Sequence, residues 1–405
     1  MSKAKIKNNG YIDWIILIPI IALMLFSLSF VYSASASIAE LKFGDAEKLF
    51  LSHSIRVGLG IVLIFIFAKV DYHIWEKISI YLMGIGILLL IVVLFSGSSI
   101  KGASRWISLG PLSFQPSEFA KFAMVIHFAN LLNKKQKFIK EFERSLLPFL
   151  IWTGVICLLI ALQPNFSTMT VILIIAMSMM FIGNLNLLHL LGVGSVSLLL
   201  GLTYMVSAEY RLNRLMAFFG VGDSPAHETV NYQLNQALIA LGNGGFFGIG
   251  TGQSRQSHFF LPESYGDFIF SIIGEEYGFA GLILVLMVFV IMFWRGMKIA
   301  KRAPDNFGYF LSVGILMTFA IYVFVNAGVN VGLLPTTGVP MPFVSYGGTA
   351  VFFYSIAIGT LLNISAQAGI NPKVQINKRN IETSDTYNNE NDGRSVLEEI
   401  QKKNT

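Results

Sequence analysis

The chain has 405 residues, 54% of them hydrophobic and only 13% charged, with a formal net charge of +6. A soluble protein carries about 25% charged residues, so a soluble globular fold is excluded. A single cysteine, Cys157, excludes an intrachain disulfide and a cysteine metal cluster.

Apolar runs of about 18–25 residues recur, the length that crosses a bilayer as a helix. We read an all-α, polytopic membrane protein with ten transmembrane helices, at 12–32, 54–69, 78–95, 117–132, 146–163, 167–183, 187–205, 268–294, 308–330 and 347–366. A large extracytoplasmic loop, 206–267, separates spans seven and eight. Residues 1–11 form a cytoplasmic N-terminal segment, 12–366 the membrane domain, and 367–405 a polar, Asn-rich, disordered cytoplasmic tail. Lys3, Lys5 and Lys7 give the start a superficial likeness to a signal peptide, but the length of the first run and the spans after it predict a retained helix.

Charge distribution sets the orientation. With the N-terminus inside, the cytoplasmic loops include 133–145, with Lys134, Lys135, Lys137, Lys140 and Arg144, and 295–306, with Arg295, Lys298, Lys301 and Arg302. These are the densest basic loops, as the positive-inside rule requires. Both termini are then cytoplasmic, and loops 33–53, 96–116, 206–267 and 331–346 lie outside.

In chain order, the small residues Ser33-Ala34-Ser35 suit close helix packing. His53 and Arg56, near the outer end of span two, suggest no role by themselves. The loop after span three, SGSSIKGASRWISLGPLSFQPSE, places Lys101, Arg105 and Trp106 outside. Trp106 suits an interfacial anchor, and Arg105 suits a lipid headgroup or a phosphate met by its planar fork of donors. Pro116-Ser117-Glu118 reads as a helix start with Ser117 as cap. Glu118 and Lys121 then share one face, about 5 Å apart along the axis. Lysine could snorkel to water there. An opposed pair facing a cavity is the reading we favour, because intramembrane ionisable residues mark sites.

Gln163-Pro164-Asn165-Phe166-Ser167-Thr168 forms a tight outer turn. Beyond span seven, Arg211 and Arg214 share a face among Tyr210, Leu212, Leu215, Met216, Phe218 and Phe219, the pattern of an amphipathic segment on the outer surface. Residues 231–240 read as helical again.

Gly242 to Gly281 then passes from a glycine-rich polar loop into a long apolar helix. Asp267 stands at the change, with Glu263 before it and Glu275 and Glu276 beyond. A carboxylate at the lip of a membrane is costly and is usually kept for catalysis or transport. The structural alternative is a helix N-cap. In the last outer loop, NVGLLPTTGVPMPFVSYGGT, Pro335, Pro340 and Pro342 forbid a regular helix. Irregular backbone at membrane depth must be surrounded by protein or water, so this loop is expected to fold back and help close a cavity. No GxxxxGK[ST] loop, HExxH or strand-led Rossmann glycine pattern is present.

GASRWISLGPLSFQPSEFAK, FGIGTGQSRQSHFFLPESYGDFIFSIIGEEYGFAG and NVGLLPTTGVPMPFVSYGG together make the sequence resemble the SEDS family (shape, elongation, division and sporulation), the FtsW/RodA membrane glycosyltransferases. The resemblance covers about 12–366 and is closer to FtsW than to RodA. It implies polymerisation of lipid II, a disaccharide-pentapeptide on a polyprenyl diphosphate, into peptidoglycan strands at the outer face of the bacterial cytoplasmic membrane. It also implies a class B penicillin-binding protein as partner, other division proteins around it, and a place at the septum. By the same resemblance Asp267 matches the essential aspartate, and Arg105, Trp106, Glu118, Lys121 and Glu263 match functional motifs. This chain departs at 163–168, where members commonly read QPDxGT, and at Ser264-Tyr265-Gly266, where a histidine-threonine type of sequence is common.

The mechanism expected is Asp267 as general base on the acceptor hydroxyl, with Lys121, Arg105 and Arg211 as cations for the leaving diphosphate. A divalent cation, magnesium or manganese, is compatible with this chemistry, but no cofactor is demanded; membrane lipids are partners and nucleic acid is not. The alternatives are a lipid II flippase, an elongation-type polymerase, or a scaffold for the division machinery.

Overall fold

The computed structural model describes residues 12–368, except 97, 101–102, 110–111, 207–211, 213–215, 217, 220–224 and 263. Its helices are α1 (Trp14–Phe43), α2 (Lys48–Lys69), α3 (His73–Ser96), α4 (Pro116–Lys135), α5 (Leu147–Leu162), α6 (Phe166–Ile182), α7 (Leu187–Val206), α8 (Pro225–Gly244), α9 (Ile269–Lys301), α10 (Asn306–Asn330) and α11 (Ala350–Gln367). Their ends follow local chemistry. The Asp13 carboxylate accepts the Ile15 N–H at the start of α1, and Gly44, at φ 68°, closes it with its N–H on the Glu40 carbonyl. Asp305 caps α10 by accepting the Gly308 N–H at 2.7 Å.

Every span read from the sequence falls on a helix. Among the described residues, eight helical segments are long and apolar enough to cross a bilayer by themselves. α6 is shorter, at 17 residues. α4 falls short for another reason: it is walled in by α3, α6, α10 and α11, and buries Glu118, Lys121, His127 and Asn130. Protein surrounds this helix, so it carries charge that a lipid-facing helix could not.

One element was not anticipated. The outer loop after α3 is a small antiparallel sheet, β1 (Ser98–Ile100), β2 (Ala103–Leu109) and β3 (Leu112–Phe114), in the order β1-β2-β3. Ser98 lies opposite Trp106, and Ile107 opposite Phe114. The cap expected at Ser117 is also displaced: Gln115 occupies the N-cap of α4 without a side-chain bond, and Ser117 is buried inside the first turn.

α10 is the hub, touching α4, α6, α8, α9 and α11. α2 and α11 approach closely, since a Cβ at Gly359 would lie 2.7 Å from the Ile64 carbonyl. At the other end of the bundle from Asp267, Asp13 accepts from Arg295 Nε at 2.9 Å and from Ser365 Oγ at 3.2 Å, joining α1, α9 and α11. Nearby, Asp305 accepts from the Tyr72 hydroxyl at 2.8 Å, and His73 reaches Asp71 and Asp305 at 2.7 Å each. Burial alone would raise the Asp71 carboxyl, but hydrogen bonds from His73 outweigh it and hold the group below its ordinary 3.8.

Candidate active site

The turn carrying Asp267 is pinned from three sides. Ser264 Oγ donates to the Ala34 carbonyl of α1 at 2.8 Å. Tyr346 N–H, from the loop after α10, donates to the Tyr265 carbonyl at 2.8 Å. From α10 itself, Asn326 Nδ2 and Asn330 Nδ2 donate to the Asp267 carbonyl at 2.9 and 3.0 Å. The same Asn326 nitrogen donates to the Val339 carbonyl at 2.8 Å, and Asn330 Oδ1 accepts from Ser271 N at 3.1 Å.

Asp267 does not cap α9. Phe268 holds the N-cap position and makes no side-chain bond there. The Asp267 side chain is half-buried, and its Oδ2 lies 3.2 Å from where a Cβ would sit on Gly338. Gly338 has φ 72°, a conformation L side chains rarely adopt. The loop from 331 to 346 thus folds back onto the aspartate, with Val339, Met341, Phe343 and Val344 buried and Phe343 stacked on Phe319 at 5.6 Å.

Glu275 and Glu276 hold the glycine-rich loop to α9. Glu275 accepts from Ser254 Oγ, and from Gln256 N and Asn243 Nδ2 at 3.4 Å each. Glu276 accepts from Ser33 Oγ, and from Gly252 N at 3.1 Å. α9 kinks two residues later at Gly278, φ 67°, where a Cβ would lie 2.5 Å from the Phe246 carbonyl, so glycine is required.

Glu118 and Lys121 form an ion pair, Nζ to Oε2 2.6 Å, with side-chain exposures of 3% for the lysine and 5% for the glutamate. Tyr322 of α10 donates its hydroxyl to Glu118 Oε1 at 3.3 Å, and Lys121 reaches the Tyr354 hydroxyl at 3.4 Å. The ammonium also lies 3.9 Å from the Tyr322 ring centroid. Beside Lys121, Thr318, Phe319 and Phe353 help line a cavity of ≈ 20 Å³, room for about one water. Tyr322 and Asn326 are four residues apart on α10. The anchor of the ion pair and the anchor of Asp267 are therefore about 6 Å apart along one helix.

Arg105 is turned toward the protein. Its Nε donates to the Gln163 carbonyl at 3.3 Å and its Nη2 to the Pro164 carbonyl, so it braces the outer turn before α6. Trp106 lies against Gly348, where a Cβ would be 3.2 Å from its Cζ3. In that turn Asn165 is the N-cap of α6 and accepts the Thr168 N–H at 3.4 Å. An asparagine caps as well as an aspartate, which accounts for the departure at this position. Arg211, Arg214, Glu263 and Lys101 lie outside the described residues. Among the described residues no group of three or more His, Cys, Asp or Glu side chains is placed to hold a metal.

Asn326, Tyr322 and Tyr354 belong to none of the motifs singled out in the sequence, and Asn330 only opens the last of them. The two carboxamides, four apart in an apolar span, were the visible signal.

An aspartate with its backbone pinned thus lies about one turn of α10 from a buried ion pair, in a multi-pass helical bundle. The family model for FtsW, RodA and SpoVE, described as cell cycle proteins, matches residues 13–369. The chain belongs to this family. Stage V sporulation protein E of Bacillus subtilis (strain 168) is 39% identical over 355 residues, 87% of this chain and 96% of the relative. The "Probable peptidoglycan glycosyltransferase FtsW" of Trichlorobacter lovleyi is 37% identical over 362 residues, 89% of this chain and 94% of the relative. Among solved structures, a chain from work on coordinated polymerization and crosslinking by a peptidoglycan synthase complex superposes with TM-score 0.72 at 25% identity, covering 89% of this chain and 99% of that one. The Thermus thermophilus rod shape determining protein RodA gives TM-score 0.64 at 25% identity, covering 89% and 98%. This FtsW/RodA/SpoVE member is a multi-pass membrane protein whose FtsW relatives bear a glycosyltransferase name.

Proposed function

We infer that this protein is a peptidoglycan glycosyltransferase of the FtsW type that serves septal wall synthesis. It polymerises lipid II at the outer face of the cytoplasmic membrane, with both termini inside. A class B penicillin-binding protein works beside it and crosslinks the strands. The observation that carries this reading is the turn at Asp267: helix α10 and the fold-back loop hold its backbone rigidly while its carboxylate stays half-exposed.

In the proposed step the Asp267 carboxylate accepts the proton of the acceptor sugar hydroxyl. The oxygen attacks the anomeric carbon of the donor, and the bond to the polyprenyl diphosphate breaks. Charge grows on that leaving group and needs donors placed in advance. Arg211 is the proposed contact for that charge; Arg105, held on the Gln163 and Pro164 carbonyls, keeps the outer turn in place, and Trp106 and Glu263 keep the roles that the family motifs imply. Lys121, neutralised by Glu118, is proposed to support the site through the Tyr322 end of α10 and not as a free cation.

The test is lipid II polymerisation by the purified complex with its penicillin-binding protein. Asp267→Asn removes the base and is expected to abolish polymer while leaving the fold intact. Polymerisation at the wild-type rate would refute the assignment.

A further inference from the structure

Arg56 is a buried charge that the chemistry above does not use. It lies eight residues into α2 from Lys48, about 12 Å down the helix, and is only 6% exposed. Among the described residues no carboxylate pairs with it, and its Nη1 has no hydrogen-bond partner. What lies against it is the ring of Tyr346, 5.0 Å from the guanidinium carbon to the centroid. His53, one turn above, packs on the same ring at 5.9 Å.

The histidine contributes no countercharge. Ser27 gives its hydroxyl hydrogen to the Met24 carbonyl at 2.7 Å, so its oxygen accepts from His53 Nε2 at 3.0 Å. His53 Nδ1 has no partner, and an imidazole, neutral or protonated, supplies no negative charge to Arg56.

A guanidinium kept this way is expensive, and an apolar side chain of similar volume is often as stable or more so. Folding alone gives no reason for the charge. The reason lies one contact further on. Tyr346 donates its N–H to the Tyr265 carbonyl at 2.8 Å, and the two rings meet edge to face at 5.6 Å. Tyr265 stands two residues before Asp267.

We propose that Arg56 is a positioning residue for Asp267: its charge holds the Tyr346 ring, and Tyr346 fixes the turn that carries the carboxylate. Attraction between a cation and an aromatic face is strongest where water is absent. The ring therefore sits between an unpaired cation below and the Asp267 turn beyond, and moving either end moves the other. This proposal rests on the glycosyltransferase reading with Asp267 as base.

The test compares Arg56→Met, Tyr346→Phe and Tyr346→Leu in the full-length protein with its penicillin-binding protein. For each, kcat and KM for lipid II and the thermal unfolding temperature are measured. Arg56→Met is expected to unfold at or above the wild-type temperature while kcat falls roughly tenfold and KM changes by less than about twofold, the signature of lost transition-state geometry. Tyr346→Phe keeps the ring and at least about half the wild-type kcat, Tyr346→Leu matches Arg56→Met, and the double variant Arg56→Met/Tyr346→Leu is no worse than either alone.

The proposal is overturned if Arg56→Met keeps wild-type kcat, or if Tyr346→Phe is as damaging as Tyr346→Leu. It is also overturned if the loss in Arg56→Met only tracks a lowered unfolding temperature. Asp267→Asn run alongside separates the two levels: an active Asp267→Asn sinks the enzyme reading, whereas an inactive Asp267→Asn beside a normal Arg56→Met sinks only the role of Arg56.

Discussion

Removing either partner of the buried Glu118–Lys121 pair leaves a different remnant, and the two single variants should differ accordingly. Losing one side of such a pair costs about 3–5 kcal/mol, because the other charge stays buried. In Lys121→Met the Glu118 carboxylate keeps only the Tyr322 hydroxyl at 3.3 Å, so the full cost applies. In Glu118→Gln the ammonium keeps the Tyr322 ring at 3.9 Å and the Tyr354 ring at 4.8 Å. Those rings and the Tyr354 hydroxyl at 3.4 Å go on solvating the ammonium, so the loss should fall at the low end of that range, about 3 kcal/mol. The double variant, with neither charge, should lie within about 2 kcal/mol of wild type, far above the sum of the singles. Unfolding of the purified protein in bicelles, followed by steric trapping, measures all three. If Lys121→Met proved the milder single change, or the double change equalled the sum, the pair would not be the balanced unit described and the argument would fail.

Three further outcomes are expected. Asn326→Leu strips the donor from the buried Val339 carbonyl, at about 1–3 kcal/mol, and removes one of the two donors on the Asp267 carbonyl, leaving Asn330; it should lower lipid II polymerisation at least as steeply as stability, and an unchanged polymerisation rate would count against the anchoring of Asp267 by α10. Asn165→Asp should unfold within about 0.5 kcal/mol of wild type, since the two residues cap equally well, while Asn165→Ala should lose about 1 kcal/mol; equilibrium unfolding distinguishes them. The Asp71 carboxyl is held below its ordinary 3.8, so its contribution is complete above that value and lost as pH falls through the depressed folded value. Wild type should accordingly be more stable than Asp71→Asn at neutral pH and lose that advantage in strong acid, as read by unfolding across pH.

The spans were legible because burial in lipid demands long apolar runs, and such runs are visible without a structure. What hydropathy could not tell is whether an apolar face meets lipid or protein. α4 is less apolar than its neighbours and is encased by them, and this is what makes Glu118 and Lys121 tolerable. The outer sheet is not legible in the sequence, because each strand is short and Trp106-Ile107 break any polar–apolar alternation in the longest of them. At the site, Asp267 stood out as a charge where loop becomes apolar helix. Its surroundings did not stand out: the cap fell to Phe268, and Arg105, expected on a phosphate, is spent on two backbone carbonyls. Such partners are chosen by tertiary contact, which spacing along the chain does not encode.

Helix α10 explains why a charged site can be both buried and well placed. Tyr322 reaches Glu118, and Asn326 and Asn330 reach the carbonyl of Asp267, all from successive turns of one helix. A helix interior is among the stiffest elements a chain can offer, whereas the segments it holds, a turn and a proline-rich loop, have no stiffness of their own. Polar side chains in an apolar span are costly unless every group is satisfied. Asn326 and Asn330 meet that condition by using their donors on the backbone carbonyls of Asp267, Val339 and Asn326. The same bonds that make these carboxamides affordable therefore fix the aspartate, so stability and placement of the site come from a single set of contacts and should fail together.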